Sequence, residues 1–273
     1  MMKKQFFNTV GIVAISLLLL NAKSDKHKMA ITASTIEQSV AKISETFYAG
    51  KYEVSNILYR EFVNDLIARK RDKDLKISQV DSDGWHAKGI GYNEPYVLLY
   101  HRHPAYNDYP VVNISYEDAK LFCKWLTDTY NSFPKRKFNK VLFRLPTEQE
   151  WMNAARAGHP NQIFSSGDSL RNKKGVVMYN FNASQYFAKH SLKSDSSKYE
   201  NADITAPCKS YWANDFGIYN MSGNAAEMLA DKGITKGGSF REYEEALKID
   251  AKETYQHSAS NIGFRYFMEV IKE

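Results

Sequence analysis

Cysteine is scarce in this sequence. Its 273 residues contain two cysteines, Cys123 and Cys208, which lie far apart along the chain. A fold held together by several disulfides is therefore excluded. One disulfide would be permitted in an oxidising compartment. We expect two buried free thiols instead, because Cys123 falls on the apolar face of a predicted helix.

The sequence also has no apolar run long enough to span a bilayer as a helix. The apolar stretch at residues 6–20 has about 15 residues, and a membrane-spanning helix needs roughly 20. Two lysines precede it and Ala22 offers a small residue for cleavage, so residues 1–22 are predicted to be a signal peptide. The alternative is an uncleaved N-terminal anchor, the only membrane contact that we expect. No cysteine near the cleavage site could carry a lipid. We expect a periplasmic or cell-envelope protein.

A concentrated basic surface is missing as well. The net charge of +6 comes from dispersed lysines and arginines, and no basic stripe alternates with aromatic residues, so we expect no nucleic-acid binding. A hydrophobic content of 43% and an aromatic content of 14% suit a globular domain with a full core. Residues 23–35 are polar and are predicted to form a tether, followed by one domain at residues 36–273.

Local signals predict three helices. Ser55 can cap a helix with an apolar face, and Ser115 with Asp118 forms a capping-box pattern. Thr147 with Glu150 forms a second such pattern, in a helix that should end at Gly158. Residues 47–54 and 110–114 are predicted to be strands. The region 158–212 has no periodicity and is predicted to be irregular.

Three C-terminal motifs identify a family resemblance. They are Asn-Met-Ser-Gly-Asn-Ala-Ala-Glu at 220–227, Lys-Gly-Gly-Ser-Phe at 236–240 and Ile-Gly-Phe-Arg at 262–265. Together they resemble the formylglycine-generating enzyme family, also called sulfatase-modifying factor domains. Residues 50–56 and 143–151 match further blocks of that family. The resemblance implies an α+β fold of the loop-rich, C-type lectin-like kind.

The resemblance implies a calcium site at the first of these motifs. Asn220 and Glu227 would supply side-chain oxygens, and Gly223 and Ala225 would supply main-chain carbonyls, which suits a cation that takes six to eight oxygen ligands. The alternative is a turn in which Glu227 merely binds local amides.

A second calcium site is implied nearer the middle of the chain. Asn180 and Phe181 match its first ligands, and either Asp203 or Glu200 could supply the acid. The cofactor expected is therefore structural calcium.

Copper is not expected. The oxidases of this family hold copper through two cysteines, and Glu242 and Leu247 stand at those positions here. Copper in its reduced form selects sulfur over carboxylate. Ser239, Arg241, Glu242 and Tyr243 remain candidates for ligand binding at the rim where the oxidases bind a peptide. The alternatives are a tight backbone approach at Ser239 and an ordinary exposed acidic loop.

Other polar residues are expected to be structural. The histidines, including His101 and His103, show no pattern of a metal cluster. Arg144 and Arg265 are expected to form buried ion pairs with Glu148, Glu150 or Glu227.

These observations predict an exported, non-catalytic domain that acts as a binding or structural component of the cell envelope, with envelope proteins as partners. Residues 92–97 and 103–110 resemble gliding-motility and type IX secretion lipoproteins of Bacteroidetes-like bacteria. Two alternatives stay open. One is an oxidoreductase with a metal held by His, Asp or Glu, and the other is a lectin-like ligand-binding module.

Overall fold

The structure is a computed structural model that describes residues 31–86, 93–189 and 204–272. The predicted signal peptide and residues 23–30 of the predicted tether lie outside the described residues. Within those three ranges, no helix is long and apolar enough to cross a membrane. The described α-helices are α1 (Ala33–Gln38), α2 (Asn56–Ala68), α3 (Asp72–Ile77), α4 (Glu94–Leu99), α5 (Tyr116–Ser132), α6 (Glu148–Arg156) and α7 (Ser184–Lys189).

The first of two four-stranded sheets is antiparallel. Its strands are β1 (Val40–Lys42), β2 (Phe47–Gly50), β8 (Phe267–Val270) and β3 (Val141–Arg144), in that order across the sheet. Strand β8 lies between β2 and β3, so the C-terminal end of the domain pairs with both its beginning and its middle. This topology gives the fold many contacts between residues distant in sequence.

Helix α5 packs along the outer edge of β3. Asn131 bonds both the amide and the carbonyl of Val141, at 3.0 and 2.9 Å. The hydroxyl of Thr127 accepts from the amide of Phe143 at 2.8 Å. Side chains of α5 therefore take the place of a further strand.

The second sheet is built from short strands of the C-terminal third. It is ordered β6 (Glu253–Thr254), β5 (Ile234–Lys236), β4 (Ala226–Met228) and β7 (Ile262–Gly263). Strands β4 and β7 are parallel and the other pairs are antiparallel. Two of the three C-terminal motifs thus contribute the neighbouring strands β4 and β7, and the third contributes Lys236 at the end of β5.

The three predicted helices are confirmed as α2, α5 and α6. Ser55 caps α2, and reciprocal capping boxes join Ser115 to Asp118 and Thr147 to Glu150. Each box satisfies amide groups that the first helical turn leaves without partners. Helix α6 ends at Arg156, and Ala157 caps it in a left-handed conformation immediately before Gly158.

The predicted strands were partly wrong. The first predicted strand is shorter than expected and ends at Gly50. The stretch 110–114 forms no strand, because Asn113 has a positive φ of 58° that interrupts the extended chain. Its apolar residues Val111, Val112 and Ile114 are nevertheless buried.

The predicted tether is partly helical at its C-terminal end. Helix α1 overlaps residues 33–35 of the tether, and Ala33 and Ile36 are buried in the core.

An aromatic cluster forms the main core between α2, α5 and the first sheet. Phe62, Phe122 and Phe264 are fully buried, and Trp125 packs against the first two with ring centroids 5.4 Å away in each case. The buried Asp65 accepts a 2.8 Å hydrogen bond from the indole of Trp125. Burial of several large rings is the main source of stability in such a core.

Candidate functional site

A buried ion pair lies at the centre of the second sheet. The Glu227 carboxylate accepts from Arg265 Nη2 at 2.6 Å and from the indole of Trp151 at 2.7 Å. The guanidinium of Arg265 also donates to the carbonyls of Gly50 and Tyr219, at 2.8 and 2.7 Å. The predicted buried ion pair of Arg265 with a glutamate is confirmed, whereas Arg144 pairs with Glu150 as expected but is only half-buried.

A second buried carboxylate adjoins this pair. Glu53 accepts from the amides of Asn220 and Asn224, at 3.1 and 2.7 Å. Burial raises the pKa of Glu53 to about 7, against the opposing effect of Arg265. The sequence places Glu53 in a matching block but gives no sign of this role, because its partners lie far along the chain.

Asn224 is the hub that joins these residues to the rest of the loop. It is fully buried with a positive φ of 69°. Its side chain accepts from Asn180 and from the amide of Ala206, and it donates to Glu53 and to the carbonyl of Ala206. Gly223 approaches Asn180 so closely that a Cβ would lie 2.5 Å from the Asn180 carbonyl oxygen.

The structure brings the residues of the first predicted calcium site together, and the carboxylate of Glu227 is already engaged. Both oxygens of Glu227 accept from Arg265, and Trp151 adds a third donor. The Asn220 Nδ2 donates to Glu53 and to the Cys208 carbonyl, which fixes the amide orientation. The guanidinium of Arg265 therefore already balances the charge of Glu227, and calcium at this motif stays a prediction that depends on Asn220 Oδ1 and the carbonyls of Gly223 and Ala225.

The second predicted calcium site offers a free oxygen. Asn180 is 1% exposed, and among the described residues its Oδ1 has no hydrogen-bond partner. Its Nδ2 donates to Asn224 and to the carbonyl of Ile204. Phe181 follows it and is buried, while Asp203 and Glu200 lie outside the described residues. An unpartnered buried oxygen is a suitable calcium ligand.

The loop at the predicted ligand-binding rim closes on itself. The carboxylate of Glu242 accepts from the hydroxyl of Ser239 and from Asn261 Nδ2, the latter at 2.8 Å. Ser239 is fully buried and also accepts from the amide of Arg241 at 3.1 Å. Tyr243 is 42% exposed. The structure thus brings Ser239, Arg241 and Glu242 together, while Asn261 was missed in the sequence.

Both cysteines are buried free thiols, as expected. Cys123 lies in the aromatic core on α5, and Cys208 lies beside Glu53. Burial raises the pKa of each thiol well above its usual range. Neither is present as the thiolate that binds metals or attacks substrates.

The fold and this centre define a class of protein. The structure has two small sheets, long irregular connections and a buried Asn–Glu–Arg network under a glycine-rich loop. These are the features of the loop-rich, C-type lectin-like α+β domain of formylglycine-generating type. The chain belongs to the family described as the sulfatase-modifying factor enzyme 1-like domain, whose model matches residues 22–270.

Similar proteins agree with this assignment. The formylglycine-generating enzyme of Bos taurus is 25% identical over 269 residues, which cover 81% of this chain and 65% of that protein. The inactive C-alpha-formylglycine-generating enzyme 2 of Bos taurus is 25% identical over 175 residues, covering 58% of this chain and 50% of that one. PvdO from Pseudomonas aeruginosa shares the fold, with a TM-score of 0.52, 18% identity and coverage of 82% and 80%.

Proposed function

We propose that this chain is a non-catalytic member of its family that acts as a binding or structural component of the bacterial cell envelope. The observation that carries the proposal is the contact of Glu242 with Ser239 and Asn261. By the family resemblance, Glu242 stands where the oxidases have a copper-binding cysteine.

The residues at this position do not fit copper. Glu242 is a hard carboxylate whose two oxygens both accept hydrogen bonds, and Leu247 is fully buried and apolar. Copper in its reduced form selects soft sulfur ligands. The two native cysteines are buried in other surroundings, with raised pKa values.

The name of one similar protein supports the proposal that this chain is non-catalytic. The bovine protein that is 25% identical to this chain over 175 residues carries the word inactive in its name. Loss of catalysis thus has a named example among similar proteins. The chain spans 65% of the length of the bovine formylglycine-generating enzyme, so that enzyme's activity is not carried over.

The envelope role depends on the N-terminal segment and on the resemblance of residues 103–110 to gliding-motility and type IX secretion lipoproteins. In the structure this second segment is ordered, with Pro104–Tyr106 as a short 3-10 helix whose Tyr106 packs against Tyr100 and Tyr109. Envelope proteins are the partners that we propose, and residues 1–22 would direct export.

A peptide-oxidation assay tests the non-catalytic part. The purified chain is incubated with copper, oxygen and a cysteine-containing peptide, and the aldehyde product is sought by mass spectrometry. The bovine formylglycine-generating enzyme is the positive control. We expect no aldehyde from this chain, and copper-dependent formation of aldehyde would refute the proposal.

Cross-linking tests the envelope part. The full chain is expressed with a C-terminal tag in a host with a similar envelope, cross-linked, and recovered from membrane and periplasmic fractions. We expect a reproducible complex with envelope proteins and processing or anchoring of residues 1–22. A free cytosolic monomer that retains Met1 would argue against it.

A further inference from the structure

A cavity lies away from the Glu242 loop, between α2, the segment after α3 and residues 101–102. Its volume is about 510 Å³, which is within the range of small-molecule sites. None of the residues predicted to bind calcium or a rim ligand lines it. The apolar part of its wall includes Val63 and Val111, and the polar part includes Asn64 and Ser78.

The charged side chains that line this cavity are positive. Arg60 and Arg102 line it, and no aspartate or glutamate is among the described residues of its wall. The guanidinium of Arg60 donates to the carbonyl of His101 at 2.9 Å and to the side-chain oxygen of Asn107, which are both neutral. A guanidinium has five N–H donors, so Arg60 keeps donors for a further acceptor. A partly desolvated positive charge of this kind favours an anion.

His101 also lines this cavity. Asn56 donates from Nδ2 to the carbonyls of Tyr100 and Tyr106, so its Oδ1 faces His101 Nδ1 as the acceptor, at 3.1 Å. His101 Nδ1 therefore carries the proton. Burial, with Arg60 and Arg102, lowers the pKa of His101 to about 3 and keeps the ring neutral.

The other ring nitrogen of His101 is left with a lone pair. His101 is 9% exposed, and its Nε2 has no hydrogen-bond partner in the part of the chain that the structure describes. A buried acceptor without a donor is costly, and a ligand hydroxyl would satisfy it.

We propose that this cavity binds a small hydroxylated organic anion, with Arg60 and Arg102 binding the anionic group and His101 Nε2 accepting from a hydroxyl. A hexuronic acid has this chemistry and a size suited to the cavity. The site does not depend on whether the Glu242 loop is catalytic.

Three probes of similar size separate the contributions of charge and hydroxyl groups. D-glucuronate carries both, D-glucose lacks the carboxylate, and cyclohexanecarboxylate lacks the hydroxyls. In calorimetric titrations of the full chain up to about 10 mM probe, we expect D-glucuronate to bind at least about tenfold more tightly than either of the others. Its affinity should fall as ionic strength rises.

Exchanging single residues locates the site. Arg102 is exposed, so Arg102→Ala should fold normally and weaken D-glucuronate binding about 10- to 100-fold. Arg60→Lys keeps the positive charge but loses the planar set of guanidinium donors. It should weaken D-glucuronate binding less than Arg102→Ala does. The matched control is Lys124→Ala, which removes one positive charge from an exposed pair with Asp128 on α5. It should leave the affinity unchanged.

The proposal is overturned if D-glucuronate does not bind, if D-glucose binds equally well, or if Arg102→Ala binds like the wild type. Equal binding of cyclohexanecarboxylate would overturn the role of His101. None of these results depends on the aldehyde assay, so this proposal and the proposed function can fail separately.

Discussion

Arg265 and Glu227 form a fully buried ion pair that joins β4 to the segment between β7 and β8. Arg265 is 0% and Glu227 1% exposed, and Nη2 lies 2.6 Å from Oε1. The pair makes three further hydrogen bonds, one from Trp151 to the carboxylate and two from Arg265 to main-chain carbonyls. Replacing either partner with a neutral residue would leave the charge of the other in a place that water cannot reach.

The first prediction follows from this pair. Glu227→Gln removes the counter-charge that is hydrogen-bonded to the buried guanidinium of Arg265 and leaves only the neighbouring Glu53, so the free energy of unfolding should fall by about 3–5 kcal/mol in urea titrations. The control is Glu117→Gln, whose partner Lys232 is mostly exposed and which should cost no more than about 1 kcal/mol. Similar losses for both variants would contradict the structural role of the buried pair.

The second prediction compares two glycines of similar backbone conformation. Gly223 and Gly158 have φ values of 83° and 90°. An alanine at Gly158 meets no atom within 4 Å and should cost about 1–2 kcal/mol from backbone strain alone. Gly223→Ala places Cβ 2.5 Å from the carbonyl oxygen of Asn180 and should cost roughly 3 kcal/mol or more. Thermal unfolding measures the stability of both variants. Equal losses of stability would show that the loop at Gly223 shifts to accommodate the added Cβ.

Sequence reasoning succeeded where the signal was local. The capping residues Ser115 and Thr147 mark helix starts because their partners are three residues away. Arg265 could be expected to pair because a charge inside an apolar motif must be compensated.

It failed where the determining contact is distant. Val111 has a strand-like context, but its backbone is set by Val54 and by the turn at Asn113. Glu53 has no local feature that reveals its bonds to Asn220 and Asn224. Asn261 likewise reaches Glu242 only through the pairing of β7 with β4. The family resemblance supplied the fold, whereas the internal bonding of the Glu242 loop required the structure.

The third prediction concerns calcium, which stays a hypothesis for both loops. Because Asn180 Oδ1 has no hydrogen-bond partner among the residues that the structure describes and the Glu227 oxygens are occupied, we expect calcium to act at Asn180. A calcium concentration a hundredfold above the dissociation constant should stabilise the protein by about 2.7 kcal/mol relative to a chelator.

Asn180→Ala should abolish that difference in melting temperature, and Glu227→Gln should retain it despite its lower stability. Elemental analysis of the purified protein checks the bound ion directly. Identical melting temperatures in calcium and in chelator, with no bound calcium, would exclude both sites.

The fourth prediction is a pH dependence that originates at His101. Its folded pKa of about 3 lies below the ordinary value of 6.5, so the folded state binds this proton less well than the unfolded state. The contribution to stability is present above pH 6.5 and is lost as the pH falls towards 3.

Between about pH 7 and about pH 4, the loss should reach roughly 3 kcal/mol relative to His101→Gln, which cannot titrate. The difference between the two proteins isolates His101, because Glu53 and Asp118, whose pKa values are raised by burial, are common to both. Parallel curves of unfolding free energy against pH would contradict the prediction.

The side chains of α5 that cover β3 also limit how this domain can associate. A strand from another chain can extend a sheet only where an edge presents unpaired amides and carbonyls. At β3 the outward amides of Val141 and Phe143 are already bonded to Asn131 and Thr127. Strand addition and edge-to-edge aggregation are therefore blocked on this side of the sheet, and a partner that docks there has to recognise side chains such as the exposed Leu142.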